Sequence, residues 1–241
     1  MIVDAEKIIQ DTKDVFFRSD IQKKNFSKIK NFVNENDYKR IHKEFLTPLK
    51  IDIDVDLFLN EIEQYSEYFE KWGNDYAELP RYGLALVNQN GKFQLNDPIN
   101  GSLYEWNNKN PETPIIEIDC RVPTEAMFLE SLKPIRIFDG HWTRSNILKW
   151  HESAEFKPHI DTLVPSPWLR LWATSNKDVV LEYYDDNEHA MVSVNNIIAG
   201  KLYLIDTSKV HYARSDHENL YQFFLSVDPA AYDLLEELLD V

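Results

Sequence analysis

Cysteine is almost missing from this chain: of 241 residues, only Cys120 carries a thiol. No disulfide can close within one molecule, and a cluster of thiolate metal ligands is excluded. Glycine is scarce too, at six residues, which excludes glycine-rich linkers and low-complexity sequence. Basic residues are outnumbered, with 26 Lys and Arg against 41 Asp and Glu. The resulting net charge of −15 repels phosphate at long range, so nucleic acid is not an expected partner. No apolar run approaches the roughly 18 residues of a membrane span. The N-terminus, MIVDAEKIIQDTKDVFF, lacks the basic start and unbroken apolar core of a secretory signal. The expectation is a soluble, cytoplasmic protein with no membrane partner. The sequence leaves the oligomeric state open.

Aromatic residues, by contrast, are plentiful: six Trp, twelve Tyr and thirteen Phe in a chain that is 43% hydrophobic. That is enough to bury one sizeable core, and a single domain spanning 1–241 is expected. Residues 1–78 read as a helical N-terminal scaffold, 79–229 as a β-rich core region and 230–241 as a C-terminal helix. In the front part, Ile29, Phe32, Tyr38, Ile41 and Phe45 recur at helical intervals. Asp54 is a plausible cap for a helix carrying Phe58, Leu59, Ile62 and Tyr65. After Pro80 the period shortens. Strands are expected at Tyr82 to Val87, Ile115 to Ile118, Ile135 to Phe138, Ser145 to Trp150 and Trp168 to Ala173. Further strands are expected at Val179 to Tyr184, Ala190 to Val194, Lys201 to Ile205 and Tyr221 to Val227. Asn90-Gly91 marks a hairpin whose second arm runs through Phe93 and Leu95, and Pro98 to Pro114 reads as a long loop. Thr124 to Leu132 and Ala231 to Leu239 read as helices. The fold class is mixed α/β, mainly β. Short strands at close intervals indicate a sandwich or barrel.

The chemistry concentrates in PHIDT at 158–162 and in GKLYLIDTSKVHYA at 200–213. Residues two apart on an extended segment share a face, so His159 and Asp161 can converge on one ion. His211 follows fifty residues after Asp161, a length that lets several short strands bring the chain back beside its start. Two imidazoles and a carboxylate form a three-ligand face suited to a divalent iron, with positions left open for other ligands.

Around these residues the segment from Ile147 to Pro229 resembles the Fe(II)/2-oxoglutarate-dependent oxygenases. The likeness is strongest to the aspartyl/asparaginyl β-hydroxylase-like branch, which includes free-proline hydroxylases. PHIDT, LRLW at 169–172, GKLYLIDTSKVHYA and FFLSVDP at 223–229 carry it. The resemblance implies a double-stranded β-helix (jelly-roll, cupin-like) core behind the N-terminal helical scaffold. It implies that His159, Asp161 and His211 are the catalytic, metal-holding residues. Fe(II) would be the metal and 2-oxoglutarate the co-substrate, consumed with dioxygen to succinate and carbon dioxide.

A dianionic keto acid calls for an arginine on its far carboxylate. In the resembled family that arginine lies on the last core strand; here Tyr221 and Gln222 stand in its place. Arg170 in LRLW matches a family position facing the co-substrate, and Trp172 replaces the histidine that follows it there. Arg144 and Lys149, ahead of the first metal ligand, are alternative anchors, and Tyr221 could donate one hydrogen bond. Trp142, Trp150 and Trp168 read as core or pocket wall, and His141, His151, His189 and His217 as ordinary histidines. Hydroxylation of a C–H bond in an amino acid, peptide or related small substrate is the expected reaction. A noncatalytic cupin-like metal-binding protein and an iron oxygenase that does not use 2-oxoglutarate are the other readings.

Overall fold

The structure, a computed structural model, describes residues 3–17, 27, 29–71, 81–92, 103–151, 154–217 and 219–240. Two antiparallel sheets face one another. One has eight strands, in the order β1 (Leu46–Asp52), β10 (Lys201–Ile205), β7 (Leu169–Thr174), β12 (Leu220–Val227), β5 (Ser145–Trp150), β3 (Arg81–Asn88) and β2 (Glu70–Lys71), with β4 (Val122–Pro123) paired to β3. The other has four: β6 (Ala154–His159), β11 (His211–Ser215), β8 (Val180–Asp185) and β9 (Ala190–Ser193). From β5 onward the chain passes repeatedly between the sheets. That makes the core a double-stranded β-helix of the jelly-roll, cupin-like kind.

Each strand of the larger sheet is read from both sides. Leu84, Leu86, Ile147, Leu169, Leu171, Leu202, Phe223 and Leu225 form its outer face and are covered by helices. The cover includes Ile41 of α2 (Glu35–Ile41), Phe58 and Ile62 of α3 (Val55–Ile62), and Leu235 of α5 (Tyr232–Leu238). Leu148, Trp150, Trp172, Tyr203 and Leu220 occupy the inner face and pack with Leu181 and Ala213 of the smaller sheet. The period of two thus sorts one sequence into a helix-facing layer and a barrel interior.

Local signals explain the helices. Asp54 accepts from Leu57 N at 3.0 Å and caps α3, as its position ahead of the apolar stripe predicts. Asn34 caps α2 in the same way. Gly200, at φ +78°, receives the Ile53 N–H on its carbonyl at 2.8 Å, and a Cβ there would stand 2.3 Å from Ile53 O.

Several expectations are corrected. Ile115 to Ile118 is not a strand: Glu117–Asp119 is a 3₁₀ turn, closed by Asp119 accepting from Ile116 N. Ile135 to Phe138 is not one either. Leu132, Ile135 and Phe138 are spaced by three, matching the three residues per turn of the 3₁₀ helix Glu130–Phe138 that buries them. The helix expected from Thr124 to Leu132 breaks into two 3₁₀ pieces, because the Thr124 hydroxyl bonds Ala85 O and Leu86 O and does not cap. The 1–78 region contributes a core strand, β1, where only helix was expected. Ile29 and Phe32 lie outside helices, and α4 (Leu103–Lys109) interrupts the expected loop. The arm at Phe93 and Leu95 lies outside the described residues. Among the described residues no helix is long and apolar enough to cross a membrane.

Candidate metal centre

β6 ends on His159 and β11 begins on His211, and the antiparallel register sets these two residues opposite each other. Asp161 is placed by its own backbone, whose N–H donates to Thr207 O at 3.0 Å in the β10–β11 loop. One donor atom from each of His159, Asp161 and His211 lies within 4.8 Å of the others. His159 Nε2 stands 3.4 Å from Asp161 Oδ1, and His211 Nε2 stands 3.8 Å from Asp161 Oδ2.

The chemistry of the donor set fits a divalent ion. His159 Nδ1 donates to Lys157 O at 2.7 Å, and His211 Nδ1 donates to Lys209 O at 3.0 Å. A carbonyl can only accept, so each ring carries a proton on Nδ1 and turns Nε2, the atom left for an ion, toward Asp161. Burial lowers the His211 pKa to about 4, an effect reinforced by His159 and partly offset by Asp161. Its imidazole is therefore neutral near pH 7. Burial opposes the charge on Asp161, yet His159, His211 and Arg170 outweigh it and hold the carboxyl well below the usual range. Phe156 lies edge-on to the His159 ring at 3.9 Å, and Phe45 lies 5.9 Å from the His211 ring. The His211 side chain is 5% exposed, against 22% for His159 and 27% for Asp161, so the face opens on the side of the latter two.

Asp161 also borders a cavity of about 90 Å³ lined by Arg81, Glu117, Arg144, Asn146 and Arg170. Arg170 Nη2 reaches both Glu117 oxygens, at 3.0 and 2.9 Å, and Arg170 Nη1 donates to Ser226 Oγ. Arg144 Nη1 lies 3.9 Å from Glu117. Burial works against the charge of both arginines. Glu117 and Asp161 reverse this for Arg170, while Arg144 stays below its ordinary value.

No family model matches the sequence. No curated protein matches it. Among solved structures, the chain is similar to a Pseudomonas putida prolyl-4-hydroxylase at 10% identity and TM-score 0.42, over 79% of this chain and 96% of that one. It is also similar to an oxidoreductase of the 2OG-Fe(II) oxygenase family from Burkholderia pseudomallei, at 9% identity and TM-score 0.36, over 70% and 78% of the two chains. A recombinant oxalate oxidase in complex with glycolate gives 12% identity and TM-score 0.33, over 66% of this chain and 55% of that one. The chain thus spans little more than half of the oxalate oxidase. Likenesses this distant say nothing of ligand or substrate, which rest on the residues of the site itself.

The residues expected to serve a co-substrate separate into two groups. Arg170, Trp172 and Arg144 are buried, and Arg170 and Trp172 share the inner face of β7. Lys149 and Tyr221 do not join them. Strand alternation turns both to the outer face, where Lys149 Nζ sits 5.5 Å over the Tyr221 ring and Tyr221 packs against Phe58. Trp142 also faces the helical layer, donating to Asp139 Oδ1 at 3.0 Å, whereas Trp150 packs inside. His141 and His217 pair with Asp228 and Asp178, each at 3.4 Å, away from the triad. Arg81 and Glu117 were not foreseen. The sequence signal for Arg81 is its place two and four residues before Gly83 and Ala85, small neighbours on the inner face that leave room for a long side chain. Glu117 carries no such signal, because its 3₁₀ turn has no strand period.

Proposed function

We propose that this chain is a non-haem Fe(II)- and 2-oxoglutarate-dependent dioxygenase that hydroxylates a C–H bond of an amino acid, peptide or related small substrate. The observation that carries this reading is one geometry: two Nε2-presenting imidazoles and an ionised carboxylate bordering an arginine-lined cavity. A structural histidine pair would need no such cavity. An iron ion held by His159, Asp161 and His211 would supply the chemistry by which dioxygen puts one oxygen atom into the C–H bond and one into 2-oxoglutarate, which would leave as succinate and carbon dioxide.

The protein's own part is binding and exclusion. His159, Asp161 and His211 would hold the ion from one side and leave room for other ligands. Three guanidiniums and two carboxylates around the cavity leave one net positive charge. A divalent ion raises that excess, and a dianionic keto acid restores it, so the charge balance favours a dianion. Leu148, Phe156 and Phe224 complete the lining and keep water from the keto group. Anaerobic titration of the Fe(II)-loaded protein with 2-oxoglutarate tests the reading. A visible charge-transfer band is expected, and under air succinate forms with a suitable amino acid or peptide. Iron binding with no band would point to an oxygenase of another kind, and failure to bind iron would end the proposal.

A further inference from the structure

Four strands end the paths of the two sheets: β1 and β2 in the larger, β6 and β9 in the smaller. Such an edge exposes a row of unpaired N–H and C=O groups, and proteins guard it with charge, proline, shortness or a covering segment. Three of the four are guarded. β1 contains Pro48 and is bridged at Leu49 by Leu239, and the Asp240 N–H donates to Pro48 O at 2.9 Å. β2 is two residues long, and both are charged. β6 contains Glu155, Lys157 and Pro158. β9 reads Ala190-Met191-Val192-Ser193, with no charge, no proline and, among the described residues, no strand on its outer side. It lies within 189–200, the longest stretch of the chain free of Asp, Glu, Lys and Arg.

The pairing with β8 fixes which groups of β9 face outward. Val194 N–H donates to Leu181 O in β8, whereas Tyr184 N–H turns the other way, to Val210 O, both at 2.8 Å. Alternation along an antiparallel pair therefore gives Ala190 and Val192 to β8 and points the N–H and C=O of Met191 and Ser193 outward. Ser193 O accepts from the Asn195 amide at 3.4 Å, a long contact that a better donor would displace. The turn before β9 is held by Asp185 Oδ1, which accepts from Asn187 N and Glu188 N at 2.7 and 3.1 Å. A groove of about 940 Å³, lined by Leu46 and Pro48 on one side and Val192 and Val194 on the other, separates β9 from β1 and leaves the edge open to approach.

We propose that β9 pairs antiparallel with β9 of a second copy of this chain, about a two-fold axis at Val192, joining the two four-stranded sheets into one. In that register Met191 of each copy exchanges backbone hydrogen bonds with Ser193 of the other, about four bonds in all, and the two Val192 side chains meet at the axis. The charge pattern favours a second copy over a foreign strand. Antiparallel pairing carries the acidic turn of one copy, with Asp185, Asp186 and Glu188, toward 194–198 of the other, where every residue is Val, Asn or Ile. No like charges are set against each other. Two chains of net charge −15 repel at long range, and this uncharged stretch is where they can meet. The pairing does not depend on the metal or on the chemistry proposed above.

Sedimentation velocity and amide hydrogen exchange on the full chain test it. The wild type should form dimers with a dissociation constant of about 10 μM or tighter, and the Met191 and Ser193 amides should exchange about tenfold or more slowly in the dimer than in dilute solution. Ser193→Pro and Met191→Pro each remove an outward N–H and leave the β8 ladder whole. Either should weaken the dimer by about tenfold or more, while Ser193→Ala leaves it unchanged. Val192→Lys and Val192→Glu should each be monomeric alone and form a heterodimer when mixed, because the axis sets position 192 against itself. That mixture decides the matter if the proline variants do not fold, as judged by circular dichroism. Raising NaCl from about 50 to about 500 mM should tighten the dimer, since screening weakens repulsion between the chains and breaks no ion pair. A wild type that stays monomeric at about 200 μM overturns the proposal and leaves the edge to a foreign strand. A dimer that survives Ser193→Pro with rapid exchange at Met191 and Ser193 overturns it by placing the contact elsewhere. Slow exchange of these amides in a monomer overturns it too, because another segment of the same chain then covers the edge.

Discussion

Along β12, Tyr221, Phe223, Leu225 and Val227 point to the helical layer, while Gln222, Phe224 and Ser226 point into the barrel. The same division runs through β7, where Leu169 and Leu171 lie outside and Arg170 and Trp172 inside. The outer face needs only apolar volume matched to Phe58, Ile62, Leu132 and Leu235. The inner face needs particular polar partners at particular atoms. Substitutions on the first should change stability and spare ligand binding. Those on the second should alter binding, and stability only where a buried partner is stranded.

The largest effect expected is on the inner side. His211→Ala should lower iron affinity by about 100-fold or more, read as metal retained after dialysis, because one of three ligands is lost. Unchanged stoichiometry would remove His211 from the centre. On the outer side, Phe223→Ala should cost about 3–5 kcal/mol in a denaturant melt and leave iron affinity unchanged. A loss of metal there would mean that the two faces are not independent. Arg170→Met leaves the Glu117 carboxylate to Arg144, 3.9 Å away, and should cost about 3 kcal/mol, part of it recovered in Arg170→Met/Glu117→Leu. Failure of the double variant to recover would mean that the pair is held by packing and not by charge.

At neutral pH the smallest effect lies at Cys120, buried under the Glu117 turn with Ile115 and Trp106. Burial pushes its thiol up to about 12 from an ordinary 9.0. The unfolded chain gives up this proton near pH 9 and the folded chain keeps it to about pH 12, so the unfolded state binds fewer protons in that window. The stabilisation is therefore whole below pH 9 and shrinks by about 1.4 kcal/mol per unit as pH rises through it. Cys120→Ala should flatten this part of the pH dependence in urea melts; an identical slope would show that the thiol ionises freely in the folded chain.

Much of the outer face was legible because a sheet face and a helix stripe each repeat with a fixed period. β5 and β10 fall on the residues where alternation places them, and Asp54 caps the helix it precedes. Three-residue spacing in Leu132, Ile135 and Phe138 is harder to read, because at four residues a 3₁₀ turn and a strand are alike. The strands carrying the triad, β6 and β11, escaped notice: both are short and polar, their pairing set by distant partners. The triad itself was visible as spacing. Lys149 and Tyr221 were misplaced by a single residue of register each, since one step along a strand changes the face. Arg81 lies outside the Ile147 to Pro229 segment that carries the family resemblance, and the β3–β5 pairing brings it to Asp161's cavity.

The loop between β10 and β11 holds Asp161 through Thr207 O and orients His211 through Lys209 O. Before β6 and β11 pair, the chain holds only two of the three candidate ligands together, a histidine and an aspartate two residues apart. Bringing His211 back beside them closes a span of some fifty residues, a contact distant in sequence that only the β6–β11 pairing supplies. The three-ligand face thus exists only once β6 and β11 have paired, and any ion that needs all three residues reports on that pairing.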